Sequence, residues 1–196
     1  RHGECPLPIV CAWTPGDCFD AALEASRIAL KYMTPVIVLS DGYLAQGAEP
    51  WRIPDLESLP RLQTRVHTDP VDFSPYRRDP STLARVWALP GTPGLEHRIG
   101  GLEKDFHTGN ISYDPLNHER MVEVRAQKVA GIARDIAPLQ VDGAPEGDLL
   151  VVGWGSTYGF IAQAVREARA AGKRVAHAHF RHLNPFPANT AEVLQG

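Results

Sequence analysis

The run Leu149-Leu150-Val151-Val152, followed at once by Gly153-Trp154-Gly155-Ser156-Thr157-Tyr158-Gly159, constrains this chain more than any other stretch. Four consecutive apolar residues suit a strand covered on both faces. The glycines allow a tight turn, and either Ser156 or Thr157 can cap a helix whose Phe160, Ile161, Ala164, Val165 and Ala168 recur at helical spacing. Gly172 stops that helix, Lys173 and Arg174 sit where a helix C-terminus favours positive charge, and Val175 to Phe180 reads as a second strand with Arg181 to Pro187 as its exit loop. Strand, helix and strand in this order predict a βαβ unit with parallel strands and a right-handed crossover.

The same grammar appears near the start. Ile9, Val10, Cys11 and Ala12 make a short buried strand, and Thr14, Pro15 and Asp17 supply a capping hydroxyl, a first-turn proline and an early carboxylate. Phe19, Ala22, Leu23, Ser26, Ala29 and Leu30 then form one small and apolar stripe, Pro35 closes the helix, and Val36 to Leu39 reads as a second buried strand. Ser40, Asp41 and Gly42 are its polar exit, at the edge where open α/β sheets build their sites.

From residue 47 to residue 112 prolines and glycines come often, Trp51, Phe73, Tyr76 and Trp87 stand apart, and neither strand nor helix period persists. Such a stretch is too long for an ordinary loop and too apolar for free disorder. It predicts a wrapping connector that buries Trp51 and Trp87 against the first domain or a neighbouring subunit. Asp114 and Pro115 open the next helix, which carries Met121, Val122, Val129 and Ile132 near one face through Arg134. The expected organisation is α/β throughout: a domain over 1–46, the connector over 47–112 and a second α/β domain, incomplete, over 113–196.

A net charge of −3 gives no electrostatic reason to expect nucleic acid, and no apolar run reaches bilayer length, so a soluble, membrane-free protein is expected. Cys5, Cys11 and Cys18 lack the spacing of zinc or iron–sulfur ligands and read as reduced cytoplasmic thiols. Any cluster would come from a partner. Because the chain starts at Arg1 and stops just after a helix that starts near Asn189, it reads as a piece of a longer protein.

Several groups invite chemistry. The glycines of 153–159 outline a dinucleotide loop, with Arg181 available to a 2′-phosphate, but the acidic residue expected at the end of the next strand is absent and too little chain follows; glycines for tight packing are the favoured reading. His177, His179 and His182 alternate as metal ligands on a strand would, yet no carboxylate or cysteine is nearby, and hydrogen-bonded histidines are favoured. Asn184, Pro185, Phe186 and Pro187 form a rigid turn, either a packing corner or an interface. Asp105, His107, Ser112 and Asp114 spell a triad on paper, but their spacing suits capping.

The wording of the chain says more. RHGECPLPIV, DCFDAALEASRIALKYMTPVIVLSDGYLAQGAEPW, GLEKDFHTGNISYDPLNHERMVEVRAQKV, GWGSTYG and VAHAHFRHLNPFPAN resemble the alpha subunit of 2-oxoacid:ferredoxin oxidoreductases, most nearly the 2-oxoglutarate type. The resemblance spans nearly the whole chain. It implies a cytoplasmic thiamine-diphosphate enzyme that decarboxylates a 2-oxoacid, passes electrons through an iron–sulfur cluster to ferredoxin and transfers the acyl group to coenzyme A. It also implies the fold: the end of a pyrimidine-type domain that contacts the cofactor's aminopyrimidine, then a transketolase-C-terminal-like parallel α/β domain. A beta subunit would hold the diphosphate, Mg2+ and the iron–sulfur cluster, so the isolated chain is expected to bind none of these and to be inactive.

The family's YPITP-type motif and its pyrimidine-facing glutamate do not occur in this chain, so no catalytic residue is carried over. Arg1 of RHGE is carried over as a substrate residue, because a guanidinium offers two parallel hydrogen bonds to a 2-oxoacid carboxylate. Arg181, His182, Asn184 and Phe186, in the distinctive RHLNPFP, are the candidate interface. Two other readings stand beside this one: a non-catalytic assembly module of the same fold, and an NADP-binding domain at Gly153 and Arg181.

Overall fold

The computed structural model describes residues 4–195 apart from 63, 65 and 145. In chain order the elements are β1 (Ile9–Cys11), α1 (Asp17–Tyr32), β2 (Ile37–Leu39), α2 (Gly42–Gln46), β3 (Val66–His67), β4 (Trp87–Ala88), α3 (Pro115–Gly131), β5 (Val141–Asp142), β6 (Leu149–Trp154), α4 (Tyr158–Ala170), β7 (Val175–Phe180), β8 (His182–Asn184) and α5 (Thr190–Gln195). They fall into two compact units. The first takes the segment up to Leu7, Arg27–Pro35 and Arg61–Ile132; the second takes Pro8–Ser26, Val36–Pro60 and the chain from Ala133 onward.

The second unit holds two three-stranded sheets, ordered β2-β1-β8 and β5-β7-β6. The expected βαβ unit is present: β6 and β7 are parallel from Leu149↔Val175 to Trp154↔Phe180, with α4 between them, and Gly172 ends the crossover at φ +81°. β1 and β2 are likewise parallel. The short strands β5 and β8 add antiparallel pairs, so both sheets are mixed.

Two strands expected to be covered on both faces are not. Leu149 and Val152 of β6 are 56% and 40% exposed, and Val38 and Leu39 of β2 are 42% and 41% exposed. Each strand has a single neighbour in its sheet among the described residues. The strands that are covered, β1 and β7, lie centrally, with Val10, Cys11, Ala178 and Phe180 buried and Leu139 packed on the last two.

α1 starts as its sequence demands. The Thr14 hydroxyl accepts from the Asp17 amide at 3.2 Å, and the Asp17 carboxylate accepts from the Trp13 amide at 3.0 Å, so two orphan donors are satisfied reciprocally. Its buried face is Ala21, Ala25, Ile28 and Tyr32, not the expected stripe, in which Phe19, Ala22 and Ser26 are exposed. Small residues carry little preference for either side, and the large Ile28 and Tyr32 decide the facing.

In the first unit α3 begins with Asp114, whose carboxylate accepts from the Leu116 amide at 3.0 Å, and Pro115 fills the first turn. Met121, Val129 and Ile132 are buried as expected. Within the connector β3 pairs in parallel with β4. Trp87 is half-buried and its indole N–H donates to the Leu30 carbonyl at 2.9 Å. Trp51, expected to be buried, is 49% exposed; its ring is tilted against Phe19, itself on the open face of α1. Among the described residues no helix is long and apolar enough to cross a membrane.

Candidate functional site

The polar groups of the second unit collect behind the carboxyl ends of its parallel strands, where loops are free of the ladder. After β2 comes Asp41, the N-cap of α2, whose carboxylate accepts from the amides of Tyr43 and Leu44 at 2.9 and 3.1 Å. The same carboxylate accepts from the hydroxyl and the backbone N–H of Ser156, in the glycine turn after β6. These donors hold its pKa below the ordinary carboxylate value, the Ser156 hydroxyl most of all.

That contact decides what the glycine turn can do. The hydroxyl and amide of Ser156 already face a carboxylate of the chain, and a Cβ built on Gly153 would lie 2.4 Å from Ile161 Cδ1, so the glycine is there for strand-to-helix packing. Gly155 adopts φ +63°, a conformation costly for other residues. Neither Ser156 nor Thr157 caps α4 through its side chain; Thr157 donates back to the Trp154 carbonyl at 2.7 Å instead. The turn therefore does not fit a diphosphate.

Beside it His177 and His179 share one face of β7, as alternate strand residues must. His179 Nε2 lies 3.0 Å from the Gly155 carbonyl, which can only accept, so that nitrogen carries the proton. Its Nδ1 is then bare and takes the Nε2 proton of His177 at 3.2 Å. Burial pushes His179 down to about 4, against the help of the Gly155 carbonyl, and lowers His177 as well. Both rings are neutral at pH 7. Tyr158 packs on both histidines, and Trp13 stacks on Tyr158 with centroids 5.6 Å apart.

Arg181 lies over the Trp13 ring at 4.2 Å and pairs with the buried Asp17. His182, 5% exposed, meets Glu24 at 3.2 Å. The three histidines of the metal reading thus split, two to one network and one to another, and among the described residues no three His, Cys, Asp or Glu side chains converge. Phe186 is 52% exposed and packs one side on Phe180. Arg1 lies outside the described residues. The Asp105, His107, Ser112, Asp114 set is a series of caps: Asp105 accepts from the His107 and Thr108 amides and Ser112 from the Asp114 amide.

Two clefts open here. One, of about 430 Å3, is bordered by Cys11, Ser40, Asp41 and the glycine turn. A larger one, of about 760 Å3, runs past Trp13, Tyr43 and Phe160, with Glu49 and Glu167 among its walls. The Glu49 carboxylate accepts from the Thr14 hydroxyl at 2.6 Å and the Gly16 amide at 2.5 Å, which holds its pKa low. Trp13, Glu49 and the partner of Asp41 were not legible beforehand. Trp13 and Ser156 have as signal only their position just past β1 and β6, and Glu49, beyond α2, has none.

Residues 1–111 match the family described as pyruvate flavodoxin/ferredoxin oxidoreductase, thiamine diphosphate-binding. The chain belongs to this family. A 2-oxoglutarate oxidoreductase subunit KorA of Mycobacterium tuberculosis is 55% identical over all of this chain, which spans 30% of that relative's length. A 2-oxoglutarate synthase subunit KorA of Methanothermobacter marburgensis is 25% identical over 95% of the chain and 49% of the relative. Among solved structures, the 2-oxoglutarate:ferredoxin oxidoreductase of Magnetococcus marinus, with 2-oxoglutarate, coenzyme A and succinyl-CoA bound, superposes with a TM-score of 0.86 at 30% identity, covering 97% of this chain and 33% of that one. The family match ends at residue 111, and the superposition on the solved oxidoreductase runs on over nearly the whole chain.

Proposed function

We propose that this chain is part of the alpha subunit of a 2-oxoacid:ferredoxin oxidoreductase acting on 2-oxoglutarate, with oxidative decarboxylation to an acyl-CoA and electrons passed to ferredoxin. The observation that carries the reading is identity of 55% across the whole chain to a 2-oxoglutarate oxidoreductase subunit, irregular connector included. Shared packing alone does not require agreement in such a connector.

In this reading thiamine diphosphate belongs to the assembled enzyme, where it supplies the carbanion chemistry of decarboxylation. The glycine turn of this chain holds its own Asp41, which argues for placing the diphosphate in the beta subunit, where the family resemblance also puts Mg2+ and the iron–sulfur cluster. What this chain contributes is a wall of two neutral histidines with fixed tautomers, Tyr158 and Trp13. Arg1 is proposed to hold a carboxylate of the 2-oxoacid. Of the interface candidates Arg181, His182, Asn184 and Phe186, the ring of Phe186 is the half-exposed apolar group suited to a beta-subunit contact.

The test is ferredoxin reduction by the intact protein with its partner subunit, given coenzyme A and either 2-oxoglutarate or pyruvate. Reduction that needs coenzyme A and favours 2-oxoglutarate is expected. A well-assembled complex that reduces ferredoxin with neither acid overturns the proposal and leaves an assembly module. For Arg1, Arg1→Lys is expected to lower kcat/KM for 2-oxoglutarate on the order of tenfold or more, as loss of a two-pronged charge-assisted contact requires.

A further inference from the structure

The first unit concentrates positive charge that the proposed reaction does not use. Arg78 and Arg85 face each other across an isolated antiparallel bridge, and both guanidiniums lie against the Tyr76 ring, at 5.7 and 4.6 Å from its centroid. Arg78 and Arg120 share Phe106, at 4.5 and 3.6 Å. Met121, Arg125 and Lys128 follow at helical spacing along α3, and Arg78 Nη2 reaches Met121 Sδ at 3.4 Å, which brings that stripe beside the arginine pair.

Their partners are mostly neutral. Arg78 donates to the Tyr76 and Phe106 carbonyls, Arg85 to the Pro75 carbonyl and Lys128 to the Met33 carbonyl. The carboxylates within ion-pair range are Glu4 and Glu103, both at the outer limit from Arg125, 4.0 and 3.9 Å, and Glu103 is already engaged by His118 at 2.7 Å. Among the described residues no carboxylate pairs with Arg78, Arg85, Arg120 or Lys128. Capping the end of α1 gives Lys128 a role, and stacking on Tyr76 and Phe106 gives Arg78, Arg85 and Arg120 neutral partners, but neither offsets their charge. Neither explains placing four together. Burial and then the charges of Arg85, Arg78 and Arg125 push Lys128 down to about 8, and burial followed by Arg85 pushes Arg78 down to about 10, so the cluster repels itself.

We infer that Arg78, Arg85, Arg125 and Lys128 form a binding site for a small phosphate-bearing anion of at least two negative charges. A single carboxylate would neutralise one of four cations, whereas a phosphate or diphosphate accepts several donors at once and matches the guanidinium fork. The site is independent of which oxoacid the enzyme uses. Its residues all belong to the first unit, and the glycine turn belongs to the second.

Pyrophosphate is the probe, titrated into the intact protein by calorimetry and followed by thermal shift. Binding that raises Tm and weakens as salt rises from roughly 0.05 to 0.3 M is expected, because the site is only partly buried. Arg85→Gln should weaken binding about tenfold, Arg85→Lys should recover part of it, and Lys173→Gln, at an exposed lysine of the second unit, should change nothing. A ligand-free Tm close to the parent's shows that the Arg85 variants are folded; if they are not, Arg125→Gln serves in their place. Absence of pyrophosphate binding at low salt overturns the inference, as does an undiminished response in the folded variants. Citrate binding as tightly as pyrophosphate overturns the phosphate class, and tighter binding of polyglutamate would make the face a docking surface for an acidic protein instead.

Discussion

Asp41 and Ser156 join the loop behind β2 to the glycine turn behind β6 through one carboxylate that takes both the hydroxyl and the amide of the serine. Its folded pKa is depressed, so the stabilisation is complete above the unfolded carboxylate value and is lost as pH falls through the lower folded one. Asp41→Asn should therefore lower Tm at pH 6, and the difference should shrink as pH falls below the ordinary carboxylate value. Parallel melting curves of parent and variant across that range check the prediction; a constant difference would refute it.

Asp17 and Arg181 make a second link, this one buried. Removing the carboxylate alone leaves a guanidinium with Trp13 as its remaining partner and also frees the Trp13 amide, so Asp17→Ala should cost about 3 kcal/mol. Asp17→Ala combined with Arg181→Met should cost less than Asp17→Ala alone. Urea unfolding of the single and double variants supplies the comparison.

Parts of this arrangement were written locally and parts were not. Thr14 with Asp17, Asp114 with Pro115, and Gly172 announce helix ends because capping is satisfied within a few residues. The βαβ unit was legible from its apolar runs, helical spacing and Gly172, although the hydroxyl cap expected for α4 is not made. The antiparallel β5 and β8 were not, since each is only two or three residues long and is defined by its partner strand. His182 shows the limit: as sequence it is one more histidine beside His179, and its partner Glu24 lies 158 positions away. Apolar runs name strands but not their neighbours, which is why β2 and β6 were assigned two covered faces.

The histidine pair predicts a pH response of its own. His179 stays neutral when folded down to about 4, whereas the unfolded ring takes a proton near 6.5. Between those values the unfolded state binds more protons, so stability falls as pH drops through this window and does not fall further from this cause below it. After allowance for the ring's partial exposure the loss is about 1–2 kcal/mol. In His179→Asn the stability profile between pH 6.5 and 4 should be flatter by that amount.

Gly153 is set by space. In Gly153→Ala the new methyl meets Ile161 Cδ1, the far end of a side chain, and an overpacking cost of about 1–3 kcal/mol is expected. Gly153→Ala with Ile161→Val removes the clashing methyl and should recover much of the loss. Failure of the second change to help would place the strain in the backbone.

Thiol reactivity should divide the cysteines. Cys5 is exposed, while burial pushes Cys11 up to about 11 despite nearby Arg181. Iodoacetamide at pH 8 should label Cys5 in the folded protein and reach Cys11 only after denaturant is added, as peptide mass analysis would reveal.

β2 and β6 have a practical consequence. A strand with one neighbour keeps a row of amides and carbonyls that another extended chain can complete, and here Val38, Leu39, Leu149 and Val152 give such an intruder an apolar welcome. Concentration itself then becomes a hazard for the chain made by itself. Its yield in an expression host should depend less on how well each unit folds than on how quickly something else occupies those two margins.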